Sequence, residues 1–120
     1  NTVSIVQEGI TGKERIGRMM DEIRNIYPKT IGNSKLVEIT DYDKCEKTDL
    51  EKNQTSKIDI EKTNAIKFKY QDGSWFTLRP SGTEPKIKLY IYTKSDSMEK
   101  AKELLNTIEK TVLALLDTVK

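Results

Sequence analysis

The sequence predicts an α+β domain in which a strand, a helix, four strands and a second helix follow one another. Residues 66–70 and 86–91 alternate apolar and polar side chains, which is typical of strands that bury one face. Residues 11–27 and 101–119 instead carry apolar residues every three or four positions, which is typical of helices. We therefore expect a mostly antiparallel sheet with both helices on one face.

The first strand and the first helix are predicted within the first 28 residues. Residues 2–7 alternate with β-branched residues and indicate a short strand. Thr11 and Glu14 have the spacing of a capping box, in which each side chain satisfies a free backbone N–H at the helix start. The helix should end before Pro28, and its buried face should consist of Ile16, Met19, Met20 and Ile23.

A second strand is predicted around Leu36 to Ile39, and a charged segment follows it. Residues 41–63 are rich in acids and lysines and have almost no periodic apolar residues. The segment exceeds the roughly 12–15 residues above which structureless connections are uncommon. Because it offers so little apolar surface to bury, we expect a solvated, mobile loop. The alternative is a loop that acts when a partner is present.

The remaining strands and the last helix have clearer signals. Ile66, Phe68 and Tyr70 alternate with lysines, and Asp72-Gly73 predicts a tight turn into a return strand that starts near Trp75. A further alternating run begins at Lys86. Asp96 and Glu99 can cap the last helix, whose predicted apolar face is Ala101, Leu104, Leu105, Ile108, Val112, Leu115 and Val119.

The composition excludes several kinds of chemistry. The 120 residues contain no histidine and one cysteine, Cys45. Imidazole bases, Ser-His and Cys-His nucleophiles and His-ligated metals are therefore excluded, and a lone thiol forms neither an internal disulfide nor a cysteine zinc site. We predict no catalytic residue and no metal ligand in this chain, and the low cysteine content fits a reducing cytoplasm.

Charge and hydropathy exclude two classes of partner. The formal net charge of +2 is far from the concentrated positive charge of a dedicated nucleic-acid-binding protein. No stretch reaches the roughly 18 consecutive apolar residues of a membrane helix, so we expect neither nucleic acid nor a membrane as partner. The length fits one domain, residues 1–120, and a first residue other than Met indicates either a processed product or an excised fragment of a larger protein.

The segment between the last two strands has the chemistry of an oxyanion site. It reads Arg79-Pro80-Ser81-Gly82-Thr83-Glu84-Pro85. A guanidinium offers two parallel donors to a phosphate, two hydroxyls can each donate one more bond, and a glycine lets the backbone approach the ligand. Lys86 and Lys88 add positive potential nearby. Composition alone is equally compatible with a polar turn between strands.

This segment resembles the C-terminal phosphate-binding loop of the α-D-phosphohexomutases, which include phosphoglucomutase, phosphomannomutase and phosphoglucosamine mutase. The resemblance covers most of the chain, because residues 8–14 and 19–25 are similar to the start of the same domain. Residues 86–91 look more like the phosphoglucomutase/phosphomannomutase branch. The resemblance implies a TATA-binding-protein-like fold, whose order of strand, helix, four strands and helix matches the one predicted above.

The resemblance also implies a role in a multidomain isomerase. Members of the family interconvert hexose 1-phosphates and 6-phosphates, using a phosphoserine and Mg²⁺ in domains outside this sequence. The last domain binds the phosphate that is not reacting, a role that falls here to Arg79, Ser81, Gly82 and Thr83. The implied ligand is glucose or mannose 1- or 6-phosphate, and the implied partners are the preceding domains. No cofactor is expected in this domain, and the domain alone should be inactive.

Two other functions are compatible with parts of the sequence. Aromatic residues interleaved with lysines suggest a nucleic-acid-binding sheet, formed by Tyr70, Trp75, Phe76, Tyr90 and Tyr92. Such residues at period two are more often core, and the acids of residues 41–62 would repel a polyanion. The apolar face of the last helix suggests a protein-interaction module, although one such face is most simply part of the domain's own core.

Overall fold

The computed structural model describes residues 2–6, 9–31, 33–81, 86–93 and 97–119. The elements are β1 (Thr2–Val6), α1 (Gly9–Asn25), β2 (Thr30–Ile31), β3 (Ser34–Asp41), β4 (Glu46–Asp49), β5 (Gln54–Lys57), β6 (Ile66–Tyr70), β7 (Trp75–Pro80), β8 (Lys86–Tyr92) and α2 (Met98–Asp117). The predicted order is confirmed by β1, α1, β3, β6, β7, β8 and α2. The short strands β2, β4 and β5 were not predicted.

The strands form one antiparallel sheet. Its order is β1-β8-β7-β6-β3-β4-β5, with β2 beside β3, and every strand pair in the described residues is antiparallel. The predicted α+β class with a mostly antiparallel sheet is confirmed. β7 and β8 are neighbours in the sheet, so the segment that joins them is a hairpin connection.

The core lies between one face of the sheet and the two helices. The sheet contributes alternate residues of its central strands, all at most 3% exposed: Ile66, Phe68, Tyr70, Phe76, Leu78, Ile87, Leu89 and Ile91. The predicted face of α1 is confirmed, because all four of its apolar residues are buried in the same cluster. On α2 the most buried line is Ile108, Val112 and Leu116, and Leu115 is only partly buried.

The helix starts differ from the predicted ones. α1 begins at Gly9, so Thr11 lies inside the helix and is not its N-cap. The N-cap of α2 is Ser97, whose Oγ accepts a hydrogen bond from the Lys100 N–H at 3.2 Å. Its extended backbone (φ −132°, ψ 150°) suits a cap, whereas the predicted cap Asp96 lies outside the described residues. At the other end, α1 stops at Asn25, slightly before the predicted limit.

The prediction of a charged loop without regular structure is wrong for residues 46–57. β4 and β5 form a hairpin that extends the sheet beyond β3. At its turn the Asp49 carboxylate accepts the N–H groups of Glu51 and Lys52, at 3.0 and 3.2 Å. The β5 residues are all exposed, so these strands are held by backbone hydrogen bonds and bury little apolar surface. Mobility of the segment remains a prediction.

Asp41 holds the start of this hairpin against α1. Its buried carboxylate accepts the N–H groups of Asp43 and Lys44, at 3.0 and 3.2 Å, and pairs with Arg24 Nε at 3.3 Å. Arg24 also donates to the Asn64 Oδ1 at 2.9 Å. Arg24 in the last turn of α1 is therefore bonded to polar groups at both ends of the segment, the carboxylate of Asp41 and the amide of Asn64.

Candidate anion-binding site

The candidate site lies where β7 and β8 meet at their hairpin connection. The two strands are paired from Trp75 and Tyr92 at one end to Pro80 and Ile87 at the other. Beyond that pair, the Ser81 N–H donates to the Lys86 carbonyl oxygen at 2.9 Å. The motif found in the sequence therefore starts on a paired strand, and both ends of its loop are held by the sheet.

Arg79 and Lys88 lie directly opposite each other in this hairpin. Their neighbours Leu78, Ile87 and Leu89 are fully buried against the helices. Because side chains alternate along a strand, Arg79 and Lys88 lie on the other side of the sheet, which we call the open face. Arg79 is exposed and Lys88 is half-buried.

This juxtaposition of two cations is electrostatically unfavourable without a ligand. The Cβ atoms of directly opposed residues are about 4.5–5.5 Å apart, and like charges in such positions destabilise a sheet. Among the described residues, neither Arg79 nor Lys88 has a carboxylate partner within ion-pair distance. A bound oxyanion would contact both side chains and remove their repulsion.

The structure places only some of the predicted site residues. Arg79 and the half-buried Ser81 stand two residues apart at the end of β7. Gly82 and Thr83 lie outside the described residues, so their roles remain predictions. The sequence predicts Lys88 only as nearby positive charge, whereas the strand register puts it beside Arg79. The alternation of apolar residues in β8 predicts which side of the sheet Lys88 lies on, but the residue opposite Lys88 depends on the strand register.

The residues that suggested the two alternative functions lie partly in the core and partly on the open face. Tyr70 and Phe76 are buried in the core, which leaves Trp75, Tyr90 and Tyr92 of the predicted aromatic platform on the open face. The apolar face of α2 packs into the domain's own core through Ile108, Val112 and Leu116. Neither a five-residue stacking platform nor a free apolar helix face is therefore formed by these residues.

No group of three or more His, Cys, Asp or Glu side chains among the described residues comes together as a metal site. No helix in this part of the chain is long and apolar enough to cross a membrane.

The sequence was compared with known families and proteins. Residues 33–110 match the family described as phosphoglucomutase/phosphomannomutase, C-terminal domain. The phosphoglucomutase of Staphylococcus epidermidis (strain ATCC 35984) is 37% identical over 99 residues, which cover 82% of this chain and 18% of the relative. That of Staphylococcus aureus (strain MRSA252) is 39% identical over 101 residues, which cover 84% of this chain and 18% of the relative.

The candidate site lies within the matched region, since both strands of the β7–β8 hairpin fall between residues 33 and 110. The chain spans less than a fifth of the length of the relatives it matches. The family match covers more than half of the chain, and the chain therefore belongs to the family of phosphoglucomutase/phosphomannomutase C-terminal domains.

Proposed function

We propose that this chain is the C-terminal domain of a phosphohexomutase and that it binds the non-reacting phosphate of a hexose phosphate. The observation that carries the proposal is the direct opposition of Arg79 and Lys88 beside the motif loop. Membership of the family supports the parent activity, an isomerase that interconverts hexose 1- and 6-phosphates.

The proposed site binds through charge and geometry together. The Arg79 guanidinium matches two phosphate oxygens with parallel N–H donors, and the Lys88 ammonium adds a second positive charge. The Ser81 hydroxyl and the predicted groups of Gly82 and Thr83 complete the set. Each hydrogen bond to a charged group contributes about 1.5–3 kcal/mol. Because Arg79 and Lys88 are anchored on paired strands, little backbone entropy is lost on binding.

The role of this domain in the parent enzyme is positioning. Binding energy gained at the non-reacting phosphate orients the sugar for a reaction elsewhere. A site that contacts only the oxyanion serves glucose and mannose phosphates alike. The phosphoserine and Mg²⁺ belong, in this proposal, to the preceding domains, and this chain alone is inactive. A cytoplasmic location is part of the proposal, supported by the low cysteine content.

Titration of the 120-residue chain with inorganic phosphate and with glucose 6-phosphate, followed by NMR, tests the proposal. We expect shifts centred on Arg79, Ser81 and Lys88 with both ligands. Arg79→Ala should abolish binding. Lys88→Ala should weaken it about tenfold, which corresponds to one charge-assisted hydrogen bond.

The matched control is Lys110→Ala, which removes an exposed positive charge on α2. It should leave both affinities unchanged. Binding that persists after Arg79→Ala, with shifts elsewhere on the chain, would overturn the proposal.

A further inference from the structure

The open face carries a second feature that phosphate binding does not use. The rings of Trp75 and Tyr92 stack with centroids 5.9 Å apart and planes 19° apart. Lys67 Nζ lies 4.7 Å from the centroid of the Trp75 ring, and Lys69 is paired directly with Trp75 across the strands. Tyr92 is 47% exposed. We call these four residues the aromatic patch.

The aromatic patch and the phosphate site occupy opposite ends of the β7–β8 hairpin. Trp75 begins β7 and Arg79 lies four residues later, about 13 Å away at the usual rise of a strand. In the β7–β8 pairing, Trp75 and Tyr92 form the pair farthest from the loop, whereas Arg79 and Lys88 pair close to it. The two sites are therefore separate surfaces of the same hairpin.

The chain enters the sheet at the end that carries the aromatic patch. β1 is the edge strand beside β8, and its first residue, Thr2, pairs with Tyr90. Because β1 and β8 are antiparallel, β1 starts at the end of β8 that carries Tyr92. The matched region is 18% of each relative's length, and the matching family is a C-terminal domain, so most of each relative's chain precedes this region.

We propose that the aromatic patch is the docking surface for the preceding domain of the same polypeptide. The inference rests on the proposed function, which makes this chain the C-terminal part of a longer enzyme. Stacked aromatic rings with a polar rim are typical of the centre of protein interfaces. Docking at this end leaves the phosphate loop, at the other end of the hairpin, uncovered for a substrate.

Charge identifies the chemistry of the partner surface. In the described part of the chain, Lys67 and Lys69 have no carboxylate within ion-pair distance. Glu38 is opposite Lys69 in the strand register, but its carboxylate is paired with Lys47 at 3.4 Å. The preceding domain should therefore present an apolar group against the rings and carboxylates opposite the two lysines.

Hydroxyl-radical footprinting with mass spectrometry tests the inference, because it reports the solvent access of individual side chains. The 120-residue chain is compared with the full-length protein encoded by its reading frame. Oxidation of Trp75 and Tyr92 should be about threefold slower, or more, in the full-length protein, because interface cores exclude water. Met98, which is 79% exposed on α2, should react equally in both.

A pair of charge reversals in the full-length protein sharpens the test. Lys69→Glu should restore fast oxidation of Trp75 and Tyr92, and Lys110→Glu, on the outer side of α2, should not. Equal rates in the two proteins, or a reading frame without upstream domains, would overturn the inference. The inference would also be overturned if Trp75 and Tyr92 of the 120-residue chain became protected as the concentration of that chain was raised. Protection on addition of a single-stranded oligonucleotide would have the same meaning. A reading frame without upstream domains would overturn both proposals. Equal oxidation rates in the two proteins would overturn only the docking inference, because phosphate affinity at Arg79 is measured separately.

Discussion

Among the ion pairs of the described residues, that of Arg24 and Asp41 is the most buried, and we expect it to contribute most to stability. Its side chains are only 17% and 11% exposed, and Nε and Oδ2 are 3.3 Å apart. Arg24→Met keeps the aliphatic stem and removes the charge. Breaking a fully buried pair costs about 3–5 kcal/mol. Asp41 retains two backbone N–H donors, so we expect a loss of about 2 kcal/mol here.

Urea unfolding measured by circular dichroism provides the assay. A loss of about 2 kcal/mol lowers the midpoint by about 1 M urea, at a typical slope of about 2 kcal/mol per M. Asp41→Asn and the double variant complete a cycle, in which we expect a coupling energy of about 1 kcal/mol or more.

The control is Lys47→Met, which removes an ion pair of similar length, 3.4 Å to Glu38, whose side chains are 48% and 27% exposed. Its effect should stay within about 0.5 kcal/mol, because water screens exposed pairs. An Arg24→Met loss no larger than that of Lys47→Met, or a coupling energy near zero, would show that the burial argument is wrong.

Three further predictions concern the hydroxyl groups of Tyr70 and Ser97. Tyr70→Phe should lower the free energy of unfolding by about 1–2 kcal/mol, because the hydroxyl donates to the Pro28 carbonyl oxygen at 2.6 Å and its loss leaves that oxygen without this donor. Urea unfolding measures the loss, and Tyr27→Phe is the control. Burial raises the pKa of Tyr70 above its ordinary value, so stability should fall as the pH rises above about 10, and Tyr70→Phe should reduce this fall. Ser97→Ala should lower the free energy of unfolding by about 1 kcal/mol, because α2 loses its N-cap. Ser97→Asp should retain most of that stability, because a carboxylate can also cap the helix. An unchanged urea midpoint for Ser97→Ala would contradict the capping role.

Elements with one buried face could be predicted from the sequence. Ile66, Phe68 and Tyr70 alternate with lysines because one side of β6 faces the helices. Burial of that side gives the sequence an apolar residue at every second position. The β4–β5 hairpin leaves no such signal, because its residues are mostly polar and its strands are joined to β3 through backbone groups. Helix starts were harder to predict, since several local capping patterns compete within a few residues and tertiary contacts choose between them.

The sequence by itself determined the α+β class, the apolar face of α1 and the position of the Arg79-to-Pro85 segment between two strands. Only the tertiary structure decided that Lys88 faces Arg79 and that Trp75 and Tyr92 stack on the open face. The reason is register. Side chains alternate with a period of two, so a slip of one residue between β7 and β8 would send Lys88 to the core side, and local sequence does not specify which strands pair.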